Sequence, residues 1–148
     1  FYSQALGGDY DYLLWVFDAR QYIRLYKEHV LALQLLSEFR TGAPPFSSMA
    51  ELGGPNTMRG YFRGRYRDNS MIALQSEYRF PIYWRFSGAL FANVAETYSQ
   101  EAPFQAGLIR WTLGAGVRLR FGSRTYMRVD GGGGKKTGAV IFGGGQAY

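Results

Sequence analysis

The chain has 148 residues, enough for one domain and too few for two of ordinary size. It carries no cysteine and a single histidine, His29, which excludes a disulfide framework and a cysteine-ligated metal and leaves almost nothing for zinc or histidine acid–base chemistry. A formal net charge of +6 suits an anionic partner, and no run of about 18 apolar residues offers a transmembrane helix.

Phe1 to Ala5 reads as the stub of a strand, and the chain opens with neither a methionine nor a signal peptide, as expected of a processed product or a piece of something larger. Tyr10 to Ile23 sets Leu13, Trp15 and Phe17 on one parity against Asp18 and Arg20 on the other, with Leu14 and Val16 blurring the contrast. His29 to Arg40 places Leu31, Leu33, Leu35 and Phe39 opposite Gln34, Glu38 and Arg40. Ser70 to Phe80 alternates Ile72, Leu74, Ser76, Tyr78 and Phe80 with Met71, Ala73, Gln75, Glu77 and Arg79. Trp84 to Glu96 puts Trp84, Phe86, Leu90 and Val94 on one face and Arg85, Ser87, Phe91 and Asn93 on the other. The clearest case is Arg110 to Phe121, where Trp111, Leu113, Val117, Leu119 and Phe121 oppose Arg110, Thr112, Gly114, Gly116, Arg118 and Arg120. That alternation persists for about twice the length of an ordinary globular strand. Arg124 to Gly131 and Gly138 to Tyr148 are glycine-rich and weaker.

The connections alternate in length. Arg24–Glu28, Pro81–Tyr83 and Gly122–Ser123 are short, whereas Thr41–Asn69, Thr97–Leu108 and Gly132–Thr137 are longer, with Leu6–Asp9 in the second group. Strands of about ten residues joined in this way predict a transmembrane antiparallel β-barrel, short turns toward the periplasm and long loops outward. Tyr10, Tyr12, Tyr22, Tyr26, Tyr83 and Trp84 suit interfacial girdles. A soluble sandwich or lipocalin-like barrel would turn the same apolar parity inward. It accounts poorly for the strand length and for Gly107, Gly114 and Gly116 on the polar face, where glycine admits something that must approach closely.

The loop of about 41–69 contains GGPNTMRGYFRGRYRD, with four arginines in sixteen positions. Folded into a polar lumen, it would present Arg59 at its tip, with Gly60 allowing a sharp turn and Tyr61 packing on a wall. A guanidinium in that position requires a carboxylate, and Glu77 and Asp130 are the candidates, with Asn93 a further polar neighbour. Glu77 and Arg79 could equally form a wall ion pair, joined by Arg118, Arg120, Arg128 and Asp130. The loop also reads as an arginine- and tyrosine-rich RNA-binding segment, but it is flanked by alternating strands rather than by low-complexity sequence. Residues 131–138, GGGGKKTG, lack the spacing and the following helix of a phosphate-binding loop and read as a flexible extracellular hairpin loop. His29 reads as an interfacial residue. No nucleophile–base pair, metal site or cofactor site can be nominated.

LGGPNTMRGYFRGRYRD followed by SEYRFP, FAN, GAGVRLRF and MRVDGG resembles the C-terminal half of the barrel of the bacterial surface-antigen superfamily, the BamA/TamA-type outer-membrane assembly and translocation proteins. The resemblance implies a barrel of about sixteen strands, of which this chain supplies about eight. It implies a sixth-loop motif, here Met58, Arg59, Gly60 and Tyr61, whose arginine reaches acidic groups on the strand walls. Glu77 takes the acidic position after the loop, and Phe91-Ala92-Asn93 takes the aromatic-x-acid motif with asparagine in place of the usual aspartate. At the C-terminus Tyr148 fits the terminal aromatic of an assembly signal and Gln146 does not fit the aromatic two places before it.

The resemblance further implies a non-enzymatic protein of the bacterial outer membrane, surrounded by lipid and receiving unfolded outer-membrane clients at a lateral seam between the first and last strands. Gly143, Gly144, Gly145 and Tyr148 lie on the expected seam strand, where glycine would either weaken the pairing or kink the strand for curvature. Other readings stay open: a small closed eight-stranded barrel, two copies forming one ring, or the translocator of a protein whose N-terminal enzyme or passenger precedes this chain. Nucleic acid is not an expected partner.

Overall fold

The computed structural model describes residues 11–99, 104–121, 125–134 and 137–144. Among them are nine strands: β1 (Tyr12–Tyr26), β2 (His29–Gly42), β3 (Ala50–Leu52), β4 (Tyr66–Asp68), β5 (Ser70–Tyr83), β6 (Phe86–Tyr98), β7 (Arg110–Phe121), β8 (Thr125–Gly134) and β9 (Thr137–Gly144). Seven of them form one antiparallel sheet in the order β1-β2-β5-β6-β7-β8-β9, while β3 and β4 make a small hairpin inside the long loop. Each strand pairs with its neighbour in the chain, the two-stranded loop hairpin aside, so the sheet is a meander. These seven are the strands expected from Tyr10 onward; the stub expected at Phe1 to Ala5 lies outside the described residues. The sheet is open, with β1 and β9 at its edges and no ladder joining them among the described residues.

The period-two pattern becomes two faces because successive side chains of a strand point to opposite sides. Gln34, Gln75, Glu77, Asn93, Thr112, Arg118, Arg128 and Asp130 all lie on one face and are all buried. The other face exposes large apolar side chains, among them Trp15 at 61%, Leu113 at 58% and Phe142 at 76%. A soluble sheet has the reverse arrangement, and this one is matched to lipid outside and a polar interior within. Strands β1, β2, β5, β6 and β7 run from 15 down to 12 residues, more than the roughly 9–11 that a tilted strand needs to cross a bilayer. Tyr22, Tyr26, Tyr83 and Trp84 are exposed near strand ends, whereas Tyr12 is buried.

Two connections differ from expectation. The turn placed at Pro81–Tyr83 lies at Trp84 and Arg85, and β5 continues to Tyr83. A register shift between Pro81 and Tyr83 accommodates a proline that has no N–H to donate, and Trp84 turns the chain at a φ of 51°. The loop expected at Gly132–Thr137 is also absent: β8 runs to Gly134 and β9 starts at Thr137, with Gly133 paired to Gly138. These glycines are needed for contact, not for flexibility. A Cβ on Gly134 would collide with the Trp111 carbonyl oxygen, and one on Gly132 would lie 2.9 Å from the Phe91 ring.

The long loop folds back over the polar face. Leu52, Met58 and Tyr61 from the loop close an apolar cluster with Ala73 of β5 and Ala95 of β6. The small wall residues let the loop sit close to the sheet, where a larger side chain would hold it off.

Candidate functional site at the loop tip

The tip is shaped by its own backbone. Gly54 N–H donates to the Tyr61 carbonyl at 2.9 Å and Tyr61 N–H to the Met58 carbonyl at 3.3 Å, closing a tight turn. Gly60 sits at a φ of 104°, where an L side chain is strained, and its Cβ position lies 3.2 Å from the Gly132 backbone and from Thr112. The Thr137 hydroxyl donates to the Gly60 carbonyl at 2.6 Å, so the tip touches β9 as well.

Arg59 is fully buried. Its Nη1 donates to Glu77 Oε2 at 2.5 Å and to Asp130 Oδ2 at 3.2 Å. Its guanidinium carbon lies 3.7 Å from the centroid of the Phe91 ring. The ring has room because Gly114 and Gly132 flank it; a Cβ on either would strike it. A ring face beneath a desolvated guanidinium attracts it through its quadrupole, worth about 2 kcal/mol in such settings.

The two carboxylates serve more than Arg59. Glu77 Oε1 accepts from Arg79 at 2.6 Å, and Arg118 Nη2 stands 2.9 Å from Glu77 Oε2 and 3.6 Å from Asp130 Oδ1. Arg128 Nη1 is 3.7 Å from Asp130. The network therefore joins four guanidiniums to two carboxylates across β5, β7, β8 and the loop. Asp130 is fitted tightly, since a Cβ on Gly116 would collide with its Oδ1. Asn93, buried on β6, donates to Thr112 Oγ1 at 3.0 Å.

The remaining arginines of the loop are also engaged. Arg63 and Arg67 bind the two oxygens of Glu51 at 2.9 and 2.6 Å, bracing the β3–β4 hairpin. Arg65 lies 5.8 and 5.7 Å from the Tyr61 and Tyr66 rings. Gln75 donates to the Asn56 carbonyl at 2.8 Å and to Gln34, which in turn donates to Asp18, extending polar contact from the loop to β1. At the other edge, Gly143 faces Arg128, whose Nε lies 3.2 Å from its Cβ position, and Gly144 pairs with Met127. Gly145 and Tyr148 lie outside the described residues.

Sequence reasoning did not identify the ring of Phe91 as the floor under Arg59, although an aromatic on the polar parity of β6 was a usable signal. Nor did it find the Thr137–Gly60 bond, for which no signal exists in the chain. Among the described residues no group of acidic or histidine side chains could hold a metal ion.

A wall with an oily outer face, an ionic inner face and a loop folded against that inner face defines an outer-membrane-type β-barrel protein. The family model described as the Omp85 superfamily domain matches residues 1–129. The chain belongs to the Omp85 superfamily, whose barrels are related to the machinery that inserts and translocates outer-membrane proteins. The surface-antigen resemblance read from the motifs is thereby borne out. No curated protein matches the chain.

Proposed function

We propose that this chain is a non-enzymatic wall of a bacterial outer-membrane barrel that helps insert or translocate other outer-membrane proteins, with Arg59 holding the loop in the lumen and β9 forming a weak lateral seam. The observation that carries the loop assignment is the Arg59 guanidinium, seated between the Phe91 ring and the carboxylates of Glu77 and Asp130. Bound there, it fixes the positions of β5, β6 and β8 relative to one another and so holds the curvature of the wall.

The seam reading rests on β9. Among the described residues it pairs with β8 alone, and its outward side chains Val140 and Phe142 are exposed. An edge whose N–H and C=O groups face lipid is costly and templates the addition of another strand. An incoming client would bind by β-augmentation, its main chain pairing with β9.

The absence of native cysteine makes a clean test available. Cysteine placed at Ile141 on β9 should form disulfides with cysteine-bearing unfolded barrel clients in the membrane, and cysteine at Leu90 on β6 should not. Equal cross-linking at both positions, or none at Ile141, would refute the seam.

A further inference from the structure

We infer that the inner wall carries a binding site for a phosphate-class oxyanion, on the tight-turn side of the Arg59 network, with Arg118 and Arg120 as its principal ligands. A cavity of about 250 Å³ opens there between β2, β5, β6, β7 and β8. Arg79, Arg85, Arg118 and Arg120 line it, with Glu28 as the opposing carboxylate and Tyr126 as a hydroxyl donor.

The first observation is charge. With the adjoining network included, six guanidiniums (Arg59, Arg79, Arg85, Arg118, Arg120, Arg128) gather around three carboxylates (Glu28, Glu77, Asp130). Arg59, Arg118 and Arg128 are buried and repel one another strongly, while Arg85 and Arg120 stand exposed at the rim, and an anion of two or more charges between the two sets relieves the excess. The second observation is Arg118 itself. It is 1% exposed, and while its Nη2 stands near Glu77, its Nε and Nη1 have no hydrogen-bond acceptor among the described residues. A buried guanidinium with N–H groups left over is an incomplete site, since each unsatisfied group carries its full desolvation cost. Arg120 has no carboxylate within ion-pair distance among the described residues, and its backbone N–H donates to the Arg85 carbonyl at 3.0 Å. That bond ties the Trp84–Arg85 turn to β7 and brings the two arginines to one rim.

Guanidinium forks match the oxygens of a phosphate in paired bonds, and several forks converging on one cavity suit a group with three or more oxygens better than a carboxylate with two. The volume accepts inorganic phosphate or pyrophosphate, or the phosphate of a lipid headgroup entering from the turn side. The inference does not depend on the seam: a wall without client binding would still hold the anion.

The test uses the native protein extracted in detergent, titrated with pyrophosphate while tryptophan emission is followed. Arg85 stacks 4.5 Å from the Trp84 ring at the cavity rim, so occupancy should change the Trp84 signal. Saturable binding is expected. It should weaken roughly tenfold in Arg120→Gln and be lost in Arg118→Gln, with Arg20→Gln on β1 as the unaffected control. Should Arg118→Gln fail to fold, Arg120→Gln decides alone. A second arm adds phosphatidate to the micelles. Competition between phosphatidate and pyrophosphate assigns the site to headgroups as well as free anions, and binding of pyrophosphate without competition assigns it to free anions. No saturation by either ligand, or equal binding by wild type and Arg120→Gln, overturns the inference.

Discussion

Arg59→Ala tests the loop contact most directly, and its magnitude follows from the composition of the network. The substitution removes two charge-assisted hydrogen bonds, each worth about 1.5–3 kcal/mol, and a cation–π contact of about 2 kcal/mol. The sum overstates the loss, because neither carboxylate is orphaned: Glu77 keeps Arg79 and Arg118, and Asp130 keeps Arg118 and Arg128. Removing one of four guanidiniums also relieves repulsion among the other three. The net cost should be about 3 kcal/mol, near the low end for breaking a buried pair. Glu77→Gln does the opposite, leaving four guanidiniums with Asp130 alone, and should cost about 4–5 kcal/mol. The double variant should be milder than the sum of the two by roughly 1–2 kcal/mol, since the same bond is lost once. The assay is the temperature at which the folded, fast-migrating band on a gel converts to the slow one. By the scaling of domains of this size, Arg59→Ala should lower it by roughly 6–12 °C. An unchanged temperature, or a smaller effect of Glu77→Gln than of Arg59→Ala, refutes the reasoning.

Three further outcomes are expected. Gly132→Ala places a methyl group against the Phe91 ring and should lower the same transition by the equivalent of about 1–3 kcal/mol, with partial recovery in Gly132→Ala/Phe91→Leu. Leu113→Arg, at the middle of the exposed face of β7, should cost about 2–4 kcal/mol of folding into lipid vesicles, measured by denaturant titration; a soluble-type orientation would leave it harmless. Burial raises the pKa of the Tyr61 phenol above its usual value, so its contribution is fully present below the ordinary tyrosine value of about 10 and is lost as pH rises through the folded value. Gel-shift temperatures should therefore fall more steeply above pH 10 in wild type than in Tyr61→Phe.

The two faces of the wall were legible because period-two alternation is a local signal. Trp111 and Leu113 against Arg118 and Arg120 need no partner to be read. The strand over Arg110–Phe121 was bounded correctly for the same reason. What failed was local composition standing in for distant contact. Gly132 to Gly134 looks like loop sequence, yet these residues are strand: Gly132 is kept bare by a phenylalanine two strands away and by a loop more than seventy positions earlier, and Gly134 by the Trp111 carbonyl of the neighbouring strand. The Asn93–Thr112 hydrogen bond depends on the register between β6 and β7, which no single window contains. Pro81 marked an irregularity rather than a turn, because a bulge accommodates a missing donor as well as a chain reversal does.

The tip of the loop is fastened at unequal strength along the sheet. Toward β5 it has an ionic hydrogen bond from Arg59; toward β9 it has a neutral one, from the Thr137 hydroxyl to the Gly60 carbonyl. A force swinging the free margin outward would meet the weaker fastening first and leave the stronger intact. The wall would then yield like a hinged panel, its margin moving while the strands nearer the middle stay posted to the loop.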